Sequence, residues 1–319
     1  MDLLFLGSSS GVPTRERNVS ALAVIAEQGK HWWLIDCGEA TQHQLLRTNL
    51  SIHDLQAVFI THLHGDHCYG MPGLLASAAM HGRKQALQVI APRVVIQWLQ
   101  ATQELTQLYL PYPVIWHEVE NLGLWHDEVW QVSAHSLSHR VPSWAYKFNE
   151  RHPRMLLQTD KLLAAGIPRG PLWGQLQQGV AIQYANRLWQ ASEFLRPQGK
   201  ARSLLLCGDN GEPEILREVI NGVDLMVHEA TYSDEIAQRL GADFGHSSAL
   251  QLARFAASSQ LPNLIMTHFS ARYGSEAQHS PNIRELEQEA AAVYAGNLFL
   301  ARDFARFRIT REAQLSQLE

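Results

Sequence analysis

The chain reads as an α/β protein folded as a sandwich, and three observations lead to that class. Short apolar stretches of strand character alternate with helical ones along most of the 319 residues. Some of those strands follow one another closely enough to pair as hairpins, which argues against a single parallel sheet. A strand also ends repeatedly on a residue able to hold a metal ion, a placement that scattered histidines would not share.

The elements follow in order. Residues 2–6, 20–26 and 31–36 read as short strands, with Gln28-Gly29 turning between the second and third. Gly7-Ser-Ser-Ser-Gly11 lacks both the Lys-Ser/Thr ending of a P-loop and the spacing of a dinucleotide fingerprint. Pro13–Asn18 is a polar loop carrying Arg15 and Arg17, and 40–47 reads as a helix. Strand 55–60 leads into Thr61-His-Leu-His-Gly-Asp-His67, and Pro72 opens the next helix, where its missing N–H costs nothing. Strand 87–90, helix 94–107, strand 114–119 and strand 128–134 come next, the last running into His135-Ser-Leu-Ser-His139.

Residues 150–200 break the alternation. Gly166, Pro168, Gly170 and Pro171 cluster with Trp173 in a segment rich in Lys and Arg, which reads as an excursion with a little helix on each side of the Gly-Pro turn. Regular alternation then resumes: strand 201–206 ends in Cys207-Gly-Asp-Asn210, strand 224–227 in His228-Glu-Ala-Thr231, and strand 263–266 in Thr267-His268. Helix 247–257 follows Gly245-His246. One domain over 1–319, with a basic arm inserted at 150–200, accounts for the whole.

Composition narrows the classes. With 46% hydrophobic and 18% charged residues the chain is an ordinary soluble one, and no apolar run approaches a membrane span. Cys37, Cys68 and Cys207 make no CxxC pair, so a reducing cytoplasm is expected. The net charge of −5 speaks against a nucleic-acid partner only until its distribution is read. Between residues 140 and 202 ten Lys/Arg face three acids, a surplus of seven that leaves −12 on the rest. A basic insert on an acidic body suits a phosphate-rich substrate.

The first metal-binding group is His62, His64, Asp66 and His67, within six residues. Imidazole and carboxylate suit divalent zinc, with cobalt, manganese or iron as alternatives. A histidine tag would lack the interleaved Gly-Asp and the strand before it. Four donors are too few for two ions, so more are expected downstream, and His139, Asp209 and His268 fill that need. The simplest arrangement puts His62, His64 and His139 on one ion, Asp66, His67 and His268 on the other, and Asp209 between them. Cys68 is either a further ligand or a small buried filler. Asp36 either orients a metal-bound imidazole or caps the helix after it.

Thr61-His-Leu-His-Gly-Asp-His67 with His139, Asp209 and His268 resembles the metallo-β-lactamase superfamily along nearly the whole chain. The resemblance implies a four-layer αβ/βα sandwich and metal roles for those seven residues. Narrower features resemble the tRNase Z family, tRNA 3′-processing endoribonucleases also described as ribonuclease BN. These are His228-Glu-Ala-Thr231 with His246, Ser270-Ala-Arg272, Pro13–Asn18 and the Gly/Pro-rich arm. That likeness implies a homodimer in which the arm of one subunit holds the tRNA elbow while the other subunit cuts. One departure stands out: the family commonly carries Gly-Asp-Thr where this chain has Gly208-Asp-Asn210.

The expected chemistry is hydrolysis of a phosphodiester in precursor tRNA, with an exonuclease mode left open. Asp66 can act as general base on a water whose pKa two cations have lowered. His246, held by Glu229, can protonate the departing 3′-oxygen. Arg272, Arg15 and Arg17 are candidate phosphate clamps. Two other readings compete: a dinuclear hydrolase of small molecules (a cyclic phosphodiesterase, lactonase or thioesterase), and an RNA-binding module with a structural metal. The first has little use for a long basic arm. The second would close its metal with protein ligands, commonly cysteine.

Overall fold

Alternation along the first strand sets the layers. In Asp2–Gly7, Leu3 and Phe5 enter one buried cluster while Leu4 and Leu6 enter another. Successive strand side chains point to opposite faces, so this strand is covered on both sides. Trp33 and Trp32 divide between the same two clusters. The computed structural model describes residues 1–151, 154–241, 245–274 and 280–318.

Two mixed sheets face each other. The first has eight strands in the order Leu315–Leu318, Arg306–Ile309, Asp2–Gly7, Ala21–Ile25, Trp32–Ile35, Leu55–Phe59, Leu87–Ala91 and Val114–Glu118. The second has seven, in the order Asn297–Leu300, Asn263–Thr267, Leu225–Glu229, Ser203–Cys207, Ser143–Glu150, Trp130–Leu137 and Leu124–His126. Each sheet is antiparallel on one side and parallel on the other. Phe5, Trp33 and Phe59 from the first sheet meet Trp130, Phe148 and Leu204 from the second in the central core. Helices Met71–Met80 and Arg93–Leu105 cover the outside of the first sheet, and Ala249–Ser258 and Ile283–Ala291 pack beside the second. The result is the expected four-layer sandwich.

Most strand bounds fall within a residue or two of expectation. The 62–67 motif is not all loop, however. Asp66 and His67 lie on a single helical turn, Gly65–Cys68, after an extended His64. His67 on that turn stands against His62, their ring centroids 4.1 Å apart. Among the described residues no helix is long and apolar enough to cross a membrane.

Among its described residues the arm has a core of its own. Leu162, Ile167, Leu176, Ile182, Ala191 and Phe194 form a buried cluster whose surrounding apolar residues also belong to the arm. Helices Thr159–Ala164 and Pro171–Gln177 flank the Gly-Pro turn, with Pro171 in the first turn of the second. Gly166, Pro168, Gly170 and Pro171 are exposed, while Ile167 between them is buried.

Candidate metal centre

Parallel strands bring their C-terminal ends to one edge of each sheet, and the two edges meet there. His62 and His64 leave Leu55–Phe59, His139 follows Trp130–Leu137, Asp209 follows Ser203–Cys207, and His268 follows Asn263–Thr267. Asp36 and His268 each come directly after a strand with φ of 58°. Left-handed backbone at a non-glycine residue is strained and persists where the side chain is needed in one place.

The donor atoms converge as two groups. His62, His64, His139 and Asp209 form one, and Asp66, His67 and His268 the other, with the donor atoms of each within 4.8 Å of one another. In the first, His62 Nε2 lies 3.1 Å from His64 Nδ1, and His139 Nε2 lies 3.3 Å from that same nitrogen. In the second, the Nε2 atoms of His67 and His268 are 3.1 Å apart, and His268 Nε2 is 3.3 Å from Asp66 Oδ2. Asp209 faces both. Its Oδ2 is 3.5 Å from His62 Nε2, and its Oδ1 is 3.3 Å from Nε2 of both His67 and His268.

These residues fit a pair of cations. Nitrogen lone pairs that face one another across 3.1 Å repel unless a positive charge sits between them. Asp209 Oδ1 is buried with no hydrogen-bond partner, the mark of an acceptor meant for something other than a protein donor. Burial pushes the His62 imidazole well below its ordinary pKa, toward the neutral form a metal requires. Burial acts the same way on His67, but Asp209, Asp66 and Asp36 together hold it well above its ordinary value. That excess of carboxylate around one imidazole is negative charge awaiting a cation.

The far nitrogens of four ligand-type histidines, His62, His67, His139 and His268, are anchored. Asp36 Oδ2 accepts from His67 Nδ1 at 2.7 Å and from the Thr61 hydroxyl at 2.9 Å. Thr61 Oγ1 in turn lies 3.0 Å from His62 Nδ1. On the other side His268 Nδ1 is 3.0 Å from Thr231 Oγ1, which donates to Glu229. Two threonines thus play matching parts, each handing a histidine N–H on to a carboxylate. His139 Nδ1 donates to Gly245 O at 2.7 Å. Gly245 has φ of +65°, and a Cβ there would lie 3.0 Å from that nitrogen, so only glycine lets the backbone come so close.

His246 and Glu229 pair as expected. Nδ1 lies 3.0 and 3.1 Å from the two carboxylate oxygens, and Oε1 also accepts the Asn210 N–H at 2.7 Å. Burial lowers the His246 pKa, yet Glu229 more than offsets it and the imidazole is pushed up to about 9. His246 Nδ1 is also 3.8 Å from Asp209 Oδ2. Asn210, the departure from the family pattern, is a hub. Its side-chain N–H donates to His228 Nε2 at 2.9 Å and its Oδ1 accepts Ser138 N–H at 3.1 Å. His228 is wholly buried and belongs to the packing around the site. Cys68 is buried, 3.5 Å from Leu63 O, and belongs to neither donor group.

The candidate phosphate clamps divide. Arg272 is exposed, donates from Nε to Ser270 Oγ at 3.1 Å, and lies over the Tyr232 ring, which meets the His246 ring at 6.0 Å. Arg15 is exposed on its loop. Arg17 is not a surface clamp: it is buried, donates to Tyr273 O at 3.3 Å and lies over the Phe269 ring. It pins the loop from inside because the backbone there folds inward, Thr14 N–H donating to Arg17 O at 2.7 Å. The arm residues lie away from the donor groups, in the arm. Sequence reasoning missed Thr61, Thr231 and the Gly245 carbonyl. Thr61 and Thr231 were visible only as neighbours of ligand-type residues.

The sandwich and its paired His/Asp donor groups define a metalloprotein of the metallo-β-lactamase fold. The chain is similar to the metallo-β-lactamase fold protein YhfI of Bacillus subtilis, with a TM-score of 0.66 at 17% identity over 96% of this chain and 98% of that one. It is similar to human tRNase Z, short form, with a TM-score of 0.68 at 25% identity over 97% of this chain and all of that one. Ribonuclease Z of Pseudomonas putida strain GB-1 is 50% identical over 315 residues, covering 99% of each chain. A family model described as anti-Pycsar protein Apyc1 matches residues 1–153, the part that holds the 62–67 motif. The chain belongs to the ribonuclease Z family.

Proposed function

We infer that this chain is a metal-dependent endoribonuclease that hydrolyses the phosphodiester at the 3′ end of precursor tRNA and removes the trailer. Membership of the ribonuclease Z family supports the substrate. The observation that carries the chemistry is the convergence of seven donors beside a carboxylate–imidazole pair.

We propose His62, His64 and His139 as ligands of one ion, Asp66, His67 and His268 as ligands of a second, and Asp209 as the bridge. Imidazole with carboxylate favours zinc, with cobalt, manganese or iron as alternatives that metal analysis separates. When bound, such ions lower the pKa of a water and neutralise charge on phosphoryl oxygens.

The chain's own side chains handle the protons. Asp66 is the proposed general base. Its Oδ2 accepts the Gly11 N–H at 2.7 Å, which fixes the carboxylate within the second donor group. His246 is the proposed acid: Glu229 engages Nδ1, so Nε2 carries the proton for the departing 3′-oxygen. Arg272, which is exposed and lies over the Tyr232 ring, and exposed Arg15 are proposed to bind phosphates of the substrate. His139 and His246 open onto a cleft of ≈ 1220 Å³ along Ala249–Ser258 that Arg140, Arg217 and Arg254 line together with Glu212, Glu214 and Asp234.

We further propose that residues 150–200 hold the tRNA elbow through the surface around Gly166, Pro168, Gly170 and Pro171, and that the chain works in the cytoplasm as a homodimer whose arm serves the partner subunit. The test is cleavage of a 3′-extended precursor tRNA beside bis(p-nitrophenyl) phosphate, with metal-stripped and zinc- or cobalt-reloaded protein. Metal-dependent cutting near the discriminator base, with tRNA far preferred, is the expected result. Activity confined to the small diester would move the substrate to a small molecule. Sedimentation of the loaded protein reads the dimer directly.

A further inference from the structure

The arm leaves and rejoins the body at two adjacent feet. Glu150 ends the strand Ser143–Glu150, and Arg202 stands one residue before Ser203–Cys207. Their backbones are joined, Glu150 N–H donating to Arg202 O at 2.9 Å, and Arg202 N–H donates to Glu150 Oε2 at 2.9 Å. The Arg202 guanidinium adds a two-pronged pair to Glu150, Nε to Oε2 at 3.0 Å and Nη2 to Oε1 at 2.6 Å. Nη2 also donates to Glu27 Oε2 at 2.6 Å, and Nη1 to Ile309 O at 3.0 Å.

Arg311 closes the ring. Its Nη2 is 2.9 Å from Glu27 Oε2 and its Nη1 is 3.5 Å from Glu150 Oε2. The side chains of Arg202, Glu150 and Arg311 are only 1%, 6% and 10% exposed. Four segments therefore meet at one largely buried point, with Glu27 at its rim 32% exposed: the turn after Ala21–Ile25, both feet of the arm, and the turn between Arg306–Ile309 and Leu315–Leu318. Gly199 presses on the same cluster, since a Cβ there would lie 2.5 Å from Arg311 Cβ. Lys200 pairs with Asp224, whose other oxygen accepts Ser203 N–H at 3.0 Å.

Beyond the feet, Arg154–Leu157 and Leu195–Gln198 pair as an antiparallel ribbon, and beyond that the arm packs on itself. Among the described residues the arm shares no buried cluster with the body, so this small folded unit on a ribbon takes its direction from its feet. Two arginines and two glutamates balance in charge, but burying them gains little over an apolar plug of equal volume. What the forked guanidinium pair adds is a fixed angle.

We propose that Arg202, Glu150, Glu27 and Arg311 are positioning residues that set the direction of the arm relative to the metal centre. The consequence for catalysis rests on the reading of the arm as the element that holds tRNA. Stripping Arg202 alone would strand two carboxylates and risk unfolding, so the test keeps the cluster neutral. Full-length Glu27→Gln/Arg311→Met and, separately, Arg202→Lys, which keeps the charge and loses the fork, are compared with wild type.

Nitroxide labels at Leu188→Cys on the arm and Leu105→Cys on the body, both exposed positions, report the distance between them in protein diluted with unlabelled chain. In both variants the distance distribution broadens or shifts. KM for precursor tRNA rises about tenfold, as expected when linked contacts lose effective concentration, while turnover of bis(p-nitrophenyl) phosphate is unchanged. A distribution as narrow as wild type and identically centred in both variants overturns the proposal. A broadened distribution with unaltered KM upholds the joint and sinks the arm's role in binding tRNA. Arg169→Glu/Arg187→Glu, which alters the arm surface and not its feet, tests that role by itself: KM should rise with the distribution unmoved.

Discussion

Both carboxylate oxygens of Glu229 lie within hydrogen-bond reach of His246 Nδ1, at 3.0 and 3.1 Å. The same carboxylate accepts Asn210 N–H and the Thr231 hydroxyl, so its position is fixed from two further directions. An imidazole held this way has one free nitrogen and a proton stabilised by its partner. That suits an acid acting on an alkoxide leaving group.

His246→Ala is therefore expected to lower kcat for precursor tRNA by about 10²- to 10⁴-fold, the usual contribution of a general acid. Metal content and tRNA affinity should stay near wild type. His246 also approaches Asp209 and His268 closely enough to form a third potential donor group. Loss of metal on the substitution, read by elemental analysis, would move His246 from acid to ligand.

Asp36 touches no substrate, yet it orients His67 directly and His62 through Thr61. Asp36→Ala should weaken metal binding by about 10- to 100-fold, the range for loss of a ligand's hydrogen-bond partner. Competition against a coloured chelator measures it. Unchanged affinity would mean that the histidines hold their orientation without the carboxylate.

Replacing the arm between its feet with a short flexible link should abolish cleavage of precursor tRNA and leave hydrolysis of bis(p-nitrophenyl) phosphate intact. The arm has a separate buried cluster, so the sandwich core loses nothing by its removal. Survival of both activities would show that tRNA is held elsewhere.

Asp2 links the first strand to Arg306 and Arg308, with Oδ1 2.7 Å from Arg308 Nε and Oδ2 2.8 Å from Arg306 Nε. Burial raises its pKa, but the two arginines outweigh burial and hold it below the ordinary carboxylate value. A depressed pKa contributes stability that is present above the unfolded value and lost as pH falls through the folded one. Asp2→Asn should therefore cost about 1 kcal/mol near pH 7, discounted because both arginines are about half exposed. The difference from wild type should shrink below pH 4. Urea midpoints at the two pH values check this, and a gap that did not close on acidification would rule the ion pair out as its source.

The proposed metal ligands were legible in the sequence because they follow strand-like runs, and that position survives any packing of the strands. His62, His64, Asp66 and His67 are local, so their spacing alone announces them. Other features have no local signal. Ser143–Glu150, with Lys147 in its middle, was not foreseen as a strand; it is central because it pairs with Trp130–Leu137 and Ser203–Cys207, and Lys147 reaches out to Val219 O at 2.7 Å. Arg17 looked like a clamp because its neighbours are polar, whereas burial beneath Tyr273 and Phe269 is a long-range fact.

By itself, then, the sequence determined the class of fold, the kind of metal donor and the presence of a basic arm, since hydrophobic period, ligand chemistry and charge are written residue by residue. Only the tertiary structure decided that Asp209 lies between two donor groups, that Thr61 and Thr231 link His62 and His268 by hydrogen bonds to Asp36 and Glu229, and that Glu27 and Arg311 meet at the feet of the arm. Those relations join residues as much as 284 positions apart, and sequence spacing carries no information about which strand ends a sheet will bring together.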